Sequence, residues 1–229
     1  MASQLKPIRL WGHAGPNPPK PAIIMEELGV PYDITEISLA DIKKQPFTSI
    51  NPNGRLPAIE DPNTGITLWE SGAIVEYLVE VYDRECRLTF PAGSPEYFQA
   101  KQWLFFQTSG QGPYYGQAAW FKKFHPEQIP GAISRYVGEV NRVAGVLDTY
   151  LADKEKEAGA NSDGGTWLVG NKVSYADLSF VQWERVISMI LEKAEYKHDD
   201  YPHLKAWLEK MLARPAVVKV LELMGGRVG

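Results

Sequence analysis

Cysteine is nearly absent: Cys86 is the single one among 229 residues, so no disulfide can close within the chain and no cysteine cluster can hold a metal. Histidine is almost as sparse. His13, His125, His198 and His203 keep none of the spacings of metal-ligating histidines, and no metal is expected. No run of roughly 18 apolar residues occurs, which excludes a membrane-spanning helix. The opening segment, MASQLKPIRL, lacks the apolar core of a secretory signal, and a cytoplasmic address is the expectation. Clustered basic charge is missing too. With 24 Lys and Arg against 28 Asp and Glu the net charge is −4, which argues against a nucleic-acid surface. Internal repeats are absent. What remains is the composition of an ordinary globular protein, 44% hydrophobic and 23% charged, long enough for two small domains or one large one.

The first half reads as mixed α/β. Residues 7–11 (PIRLW) form a strand pattern, and the Gly- and Pro-rich GHAGPNPPKP that follows is a loop. Residues 21–29 read as a helix, with Pro21 at its start and Gly29 at its stop. A second strand runs from Tyr32 to Ile37, and 40–48 is polar and irregular. LPAIED, the turn PNTG and ITLWE give two more strands, and 71–82 is an amphipathic helix with Ile74, Val75, Leu78 and Val81 on one side. This β-α-β-loop-β-β-α order describes a thioredoxin-like unit, a mixed sheet with helices on both faces.

Residues 83–95 lose periodicity and carry Pro, Gly and Ser, which places a linker there. The expected division is a thioredoxin-like domain over 1–84, a linker over 85–95 and an all-helical domain over 96–229. Helices are predicted over 96–109, 130–151, 174–192, 203–213 and 215–223, with a break near 113–116, a polar loop over 153–165 and a frayed GGRVG tail. Ser174 and Asp177 have the spacing of a capping box, with Val173 and Leu178 as its staple. That is a folding signal.

The stretch with the most chemistry is NPNGRLPAI, followed by LWESGAI. Pro57 interrupts a strand signal, and a proline cannot serve a central sheet ladder. A cis Leu56–Pro57 bond is the expectation. It would turn the chain sharply and free the backbone groups of Leu56 for an extended peptide ligand. Glu70 and Ser71 stand where a helix begins, and a helix start offers free N–H groups and positive potential to a carboxylate. Glu70 suits an ammonium. Together these residues suit a zwitterionic amino-acid head followed by a peptide backbone.

The NPNGRLPAI and WESGAI pair resembles the glutathione-binding half of the cytosolic glutathione transferases, and the resemblance runs along nearly the whole chain. It is strongest to the fungal branch related to the yeast nitrogen-catabolite regulator, a prion protein. Gly15-Pro16-Asn17, WLFFQTSGQGP (103–113), GQAAWFKKFHPE (116–127) and Trp167-Leu168-Val169-Gly170 leading into VSYADLSF also carry it. The resemblance implies glutathione as co-substrate, a small hydrophobic electrophile as second substrate, and a homodimer. It assigns Asn17, Lys44, Arg55, Leu56, Pro57, Glu70 and Ser71 to glutathione. Lys43 and Lys44 stand where a donor would meet the glycyl carboxylate, and Arg55 also reads as a rim charge.

Glutathione chemistry needs the thiol as a thiolate, a shift of about 2 units from a free value near 8.5, or roughly 3 kcal/mol. Transferases commonly place a Tyr, Ser or Cys just after the first strand. None lies between positions 9 and 20 here, where His13, Asn17 and Lys20 stand instead. The resemblance gives Asn17 the catalytic role, its amide donating to the sulfur, with backbone N–H groups at the start of the 21–29 helix supplying much of the rest. His13 reads as a loop side chain and Lys20 as a solvated charge. Tyr114, Tyr115, Trp120, Phe121 and Phe124 are dense enough for an apolar electrophile pocket, and equally for a helix core or a dimer seam.

The expected function is therefore transfer of glutathione to a hydrophobic electrophile, in fungal detoxification or specialised metabolism. Glutathione-dependent isomerisation, or peroxide or disulfide reduction, would use the same site. A non-catalytic regulatory protein is the remaining reading; the segment before the first strand, MASQLK, has no Asn/Gln-rich character, which counts against it.

Overall fold

A computed structural model describes residues 5–13, 15–158 and 165–224 and divides the chain into two compact units. The first holds Met1–Arg87 together with Arg214–Gly229, and the second is Leu88–Ala213. Among the described residues, no helix is long and apolar enough to cross a membrane.

The first unit is built on a four-stranded mixed sheet of order β2-β1-β3-β4. Strand β1 (Ile8–Trp11) runs parallel to β2 (Tyr32–Thr35) and antiparallel to β3 (Ala58–Asp61), which in turn pairs antiparallel with β4 (Ile66–Trp69). The two-residue period of β1 buries Ile8 and Leu10 and exposes Arg9. Helix α1 (Pro19–Leu28) joins β1 to β2 and buries Ile23, Ile24 and Met25. It ends at Gly29, which takes a left-handed φ of 70° that favours glycine. A single turn, α2 (Phe47–Ile50), precedes β3, and α3 (Ser71–Tyr82) follows β4, burying Ile74, Val75 and Leu78. This is the thioredoxin-like arrangement that the element order predicted.

One element changes sides relative to the sequence expectation. Helix α9 (Pro215–Met224), expected in a helical domain running to 229, packs on α1 in the first unit. Its apolar side chains Val217, Val220 and Met224 are buried. Arg214 holds the Glu27 carboxylate with two bonds, 2.5 and 2.8 Å, and Lys219 pairs with Glu26 at 2.9 Å. Periodicity identifies a helix; it does not say which partner covers the apolar stripe.

The second unit is helical: α4 (Pro95–Phe106), α5 (Gly112–Ala119), α6 (Pro130–Ala158), α7 (Tyr175–Ile190) and α8 (Pro202–Leu212). The expected break at 113–116 does not occur. Two π-helical turns, Gln107–Gln111 and Trp120–Phe124, carry the helical path through. Gly112 donates to Gln107 at the wider spacing, and Pro113, which has no N–H, falls in the first turn of α5 where none is required. Helix α6 also runs past its expected end. Lys154–Glu157 and Lys156–Asp153 pair one turn apart, so part of the predicted 153–165 loop is helix. The rest of that loop, 159–164, and the GGRVG tail lie outside the described residues.

Two buried carboxylates organise this unit. Glu184 accepts from Gln111 Nε2 (2.7 Å), Tyr115 Oη (2.8 Å) and Tyr196 Oη (2.9 Å). Asp177 accepts from the Ser174 backbone and hydroxyl (2.9 and 2.7 Å), the Leu168 N–H (2.9 Å) and Trp207 Nε1 (3.0 Å). Burial pushes the Asp177 carboxyl up, and these donors pull it back toward the charged form. The cap is thus also a tie between α7, the segment before it and α8. Asp177→Ala leaves several buried donors without an acceptor, and we expect a loss on the order of 3 kcal/mol in urea unfolding. An isolated cap contributes nearer 1 kcal/mol, so a loss of that size would show that the Leu168 and Trp207 bonds add little.

Candidate functional site

Three loops converge at the carboxyl end of β1. Gly12 ends the strand with φ 101° and donates its N–H to Thr35 O. A Cβ here would fall 2.8 Å from Leu56 Cδ1, so only glycine lets Leu56 lie across the strand end. Leu56 and the β1–α1 loop that carries Asn17 are thereby brought together. The Leu56–Pro57 bond is cis, and Pro57 is buried. A second cis bond, Gln45–Pro46, has no counterpart in the sequence reading.

The NPNGR loop is braced from within. Asn51, almost fully buried, donates to Arg55 O at 2.6 Å and accepts from Asn53 N–H at 2.9 Å. Gly54, at φ 58°, sits where a Cβ would lie 2.6 Å from Ile42 O, so the loop rests against 42–43. Lys43 donates to Asn53 O at 2.7 Å. Lys44, the candidate from the resemblance, points its ammonium to Asp41 at 3.0 Å instead. The Arg55 side chain is exposed, as a rim charge would be.

Glu70 and Ser71 open α3. Glu70 has φ 73° and ψ 113°, a conformation that costs a non-glycine residue on the order of 1–3 kcal/mol and that clusters at functional sites. Its carboxylate is exposed, and Ser71 follows half-buried.

Lys20 departs from its expected role as a solvated charge. It is 3% exposed, and its ammonium donates to Ser71 Oγ at 2.9 Å. Burial lowers its pKa to about 7, while the Glu70 charge acts in the opposite sense. A carboxylate, a hydroxyl and an ammonium therefore meet at the start of α3, a set that matches the charges of an amino-acid head. The missed signal is the Pro18-Pro19 pair. It starts α1 at residue 19 and not 21, which makes Lys20 a first-turn residue facing inward.

The same prolines overturn another expectation. Pro18, Pro19 and Pro21 have no N–H, and that of Lys20 donates to Asn17 O at 3.2 Å. The first turn of α1 accordingly lacks the free backbone donors expected to face a thiolate. Asn17 sits half-buried just before this turn. His13, in the same loop, has a buried Nδ1 with no hydrogen-bond partner among the described residues. Cys86 lies beyond the opposite end of α3 from Ser71.

The five aromatic candidates in the helical unit separate. Tyr115 is fully buried, bonded to Glu184 and set edge-on to Trp183, so it is a core side chain and not a pocket wall. Phe121 stacks on Tyr136 of α6 with centroids 5.6 Å apart, and Tyr114 lies 6.5 Å from the same ring. Trp120 and Phe124 form a second pair at 6.2 Å, each about half exposed.

Comparison with known proteins bears on these observations. Residues 6–80 match the family model of the glutathione S-transferase N-terminal domain, and 113–215 match that of the C-terminal domain. A glutathione S-transferase-like protein of Aspergillus terreus is 56% identical, with 96% of each chain covered. The crystal structure of a glutathione transferase from Phanerochaete chrysosporium with oxidized glutathione superposes with a TM-score of 0.87 at 36% identity, covering 98% of both chains. The nitrogen regulation fragment of a yeast prion protein does so with a TM-score of 0.86 at 37% identity, covering 97% of this chain and 99% of that one.

The burial of Lys20 has a measurable consequence. Unfolded lysine titrates near 10.4, against about 7 here. Between these values the unfolded chain holds a proton that the folded chain lacks, so stability rises with pH across that window. Below pH 7 both forms are charged and the burial penalty is felt in full. Lys20→Met removes the titration. Wild-type stability, measured by urea unfolding, should gain on the order of 3 kcal/mol relative to Lys20→Met between pH 7 and about 9.5. A difference independent of pH would mean that Lys20 titrates as an exposed lysine.

Proposed function

The chain belongs to the glutathione S-transferase family, and from that premise we propose that it binds glutathione in its sheet-containing unit and activates the thiol for attack on a hydrophobic electrophile. The observation that carries this reading is the cluster at the start of α3. Glu70 takes the ammonium of the γ-glutamyl head, and Ser71, backed by Lys20, takes its carboxylate. Leu56, held over Gly12, presents backbone groups to the cysteinyl residue. Lys43, tied to the NPNGR loop, is better placed than Lys44 for the glycyl carboxylate. Asn17 donates its amide to the sulfur.

In the reaction the thiolate sulfur forms a bond to an electrophilic carbon. The displaced electron pair leaves with a leaving group or moves into a conjugated acceptor, which is then protonated. Proximity and a lowered thiol pKa supply the acceleration. Reversible addition to an alkene, or attack on a peroxide or mixed disulfide, uses the same thiolate. Trp120 and Phe124 offer an exposed aromatic surface of the helical unit to a flat substrate, and Tyr114 and Phe121 meet Tyr136 in a separate group of rings. Phe98 and Phe105, two turns apart and exposed on α4, support a homodimer.

A second reading has its own support. The proline-rich first turn of α1 removes backbone donors from the sulfur side, which favours a protein that holds glutathione without activating it. Thiolate absorbance of bound glutathione, followed against pH for wild type and Asn17→Ala, separates the two. The transferase reading expects a thiol pKa about 2 units below the free value near 8.5 and a rise in the variant. Saturable binding with an unshifted pKa would leave the binding role alone.

A further inference from the structure

We propose that Lys20 is a positioning residue that selects ligands carrying a carboxylate at the start of α3, acting through the Ser71 hydroxyl. This rests on the glutathione reading above and adds to it the group that discriminates the γ-glutamyl α-carboxylate.

A lysine ammonium has three N–H donors and no lone pair, so in the 2.9 Å contact the Ser71 oxygen must accept. The hydroxyl proton is then directed away from Lys20. Ser71 becomes a committed donor, and an incoming carboxylate is an acceptor only. A serine without this neighbour would be free to rotate, and its proton would have no fixed direction.

Lys20 also compensates for a local deficit. A helix N-terminus ordinarily attracts anions through its free N–H groups. In α1, Pro18, Pro19 and Pro21 bring none, and the Lys20 N–H is spent on Asn17 O. A full positive charge on the second residue of the helix replaces the missing partial charges. Lysine side chains normally run out to water. This one stays inside at 3% exposure, so its charge is directed at the cluster and little screened.

Glu70 acts on Lys20 from the start of α3. The other acids of α1, Glu26 and Glu27, stand in its last turn and pair with Lys219 and Arg214 of α9. Glu76 and Glu80 of α3 lie a turn or more beyond Ser71, and the β1–α1 loop adds His13. A ligand carboxylate brought to Ser71 is therefore a new negative charge beside a lysine that is hard to keep protonated when the site is empty. Binding draws a proton onto Lys20.

The test uses S-methylglutathione, which has no thiol to titrate, and its analogue with a 4-aminobutyryl group in place of γ-glutamyl, which lacks only the α-carboxylate. Affinities are measured by calorimetry on wild type, Lys20→Met and Lys20→Arg. Lys20→Met should lose roughly tenfold to hundredfold for S-methylglutathione, the scale of a hydrogen bond to a charged group, and no more than about twofold for the analogue. Lys20→Arg should keep most of the discrimination. Equal loss for both ligands, or none for either, overturns the proposal. If Lys20→Met does not fold, wild type alone decides: at about pH 8, titrations in two buffers of different ionisation heat should report proton uptake with S-methylglutathione and none with the analogue. Uptake with neither, or with both, overturns it. Failure of wild type to bind S-methylglutathione at all would instead remove the glutathione reading on which the proposal stands.

Discussion

A lysine ammonium shut away from water against a serine hydroxyl is an arrangement that folding opposes. Charge burial is unfavourable unless partners replace the lost hydration. For Lys20 the loss of hydration outweighs the Glu70 charge, and its pKa falls to about 7. The rest of the site is arranged around that group. Starting α1 at Pro19 points Lys20 inward, and the strained backbone of Glu70 delivers Ser71 to meet it. Gly12 lets Leu56 close over the end of β1. Each of these features lowers stability or restricts the sequence. A site that holds a buried lysine beside a hydroxyl is suited to an anion.

The helical unit handles buried charge differently. Glu184 and Asp177 are as inaccessible as Lys20, yet each accepts from three or four donors. The donors are mostly neutral side chains and backbone amides, so the carboxylates are solvated by the protein itself. They join α5, α7 and α8 to the connecting segments. The Glu184 and Asp177 carboxylates are architectural, tying helices together, whereas Lys20 lies at the opening of α3 beside Ser71 and the exposed Glu70.

Much of this was legible in the sequence because it depends on local rules. The two-residue period of PIRLW, the Gly29 stop, the Ser174–Asp177 spacing and the cis proline at Leu56–Pro57 each follow from a few neighbouring residues. Glu70 and Ser71 were identifiable as a helix start beside that proline. The features that escaped depend on what the chain meets elsewhere. The inward direction of Lys20 follows from a shift of two residues in the start of α1, and charged residues are read as exposed by default. Tyr115 and Phe121 sit in one aromatic run; only packing against Glu184 and Tyr136 separates a core ring from a stacked one. The π-turns are registers of hydrogen bonding that leave no mark in apolar periodicity. Helix α9 shows its apolar stripe plainly, but the partner is chosen by Glu26 and Glu27, far away in sequence.

The transferase and the holding protein would differ only at the sulfur. Everything that recognises the γ-glutamyl head and the peptide backbone serves both. Activation requires roughly 3 kcal/mol of preference for the thiolate, and a single neutral hydrogen bond such as Asn17 can donate contributes about 0.5–1.5 kcal/mol. The backbone donors that would ordinarily add to it are absent from the first turn of α1. Lys20 stands in that turn, but a carboxylate bound at Ser71 as proposed would neutralise it and leave little of its field for a second anion. The sulfur must then draw on the aligned peptide dipoles of α1 and on desolvation within the loaded site. Under the transferase reading, a thiolate stabilised this modestly would suit electrophiles that are already reactive, and would place the burden of rate enhancement on how closely the electrophile is held.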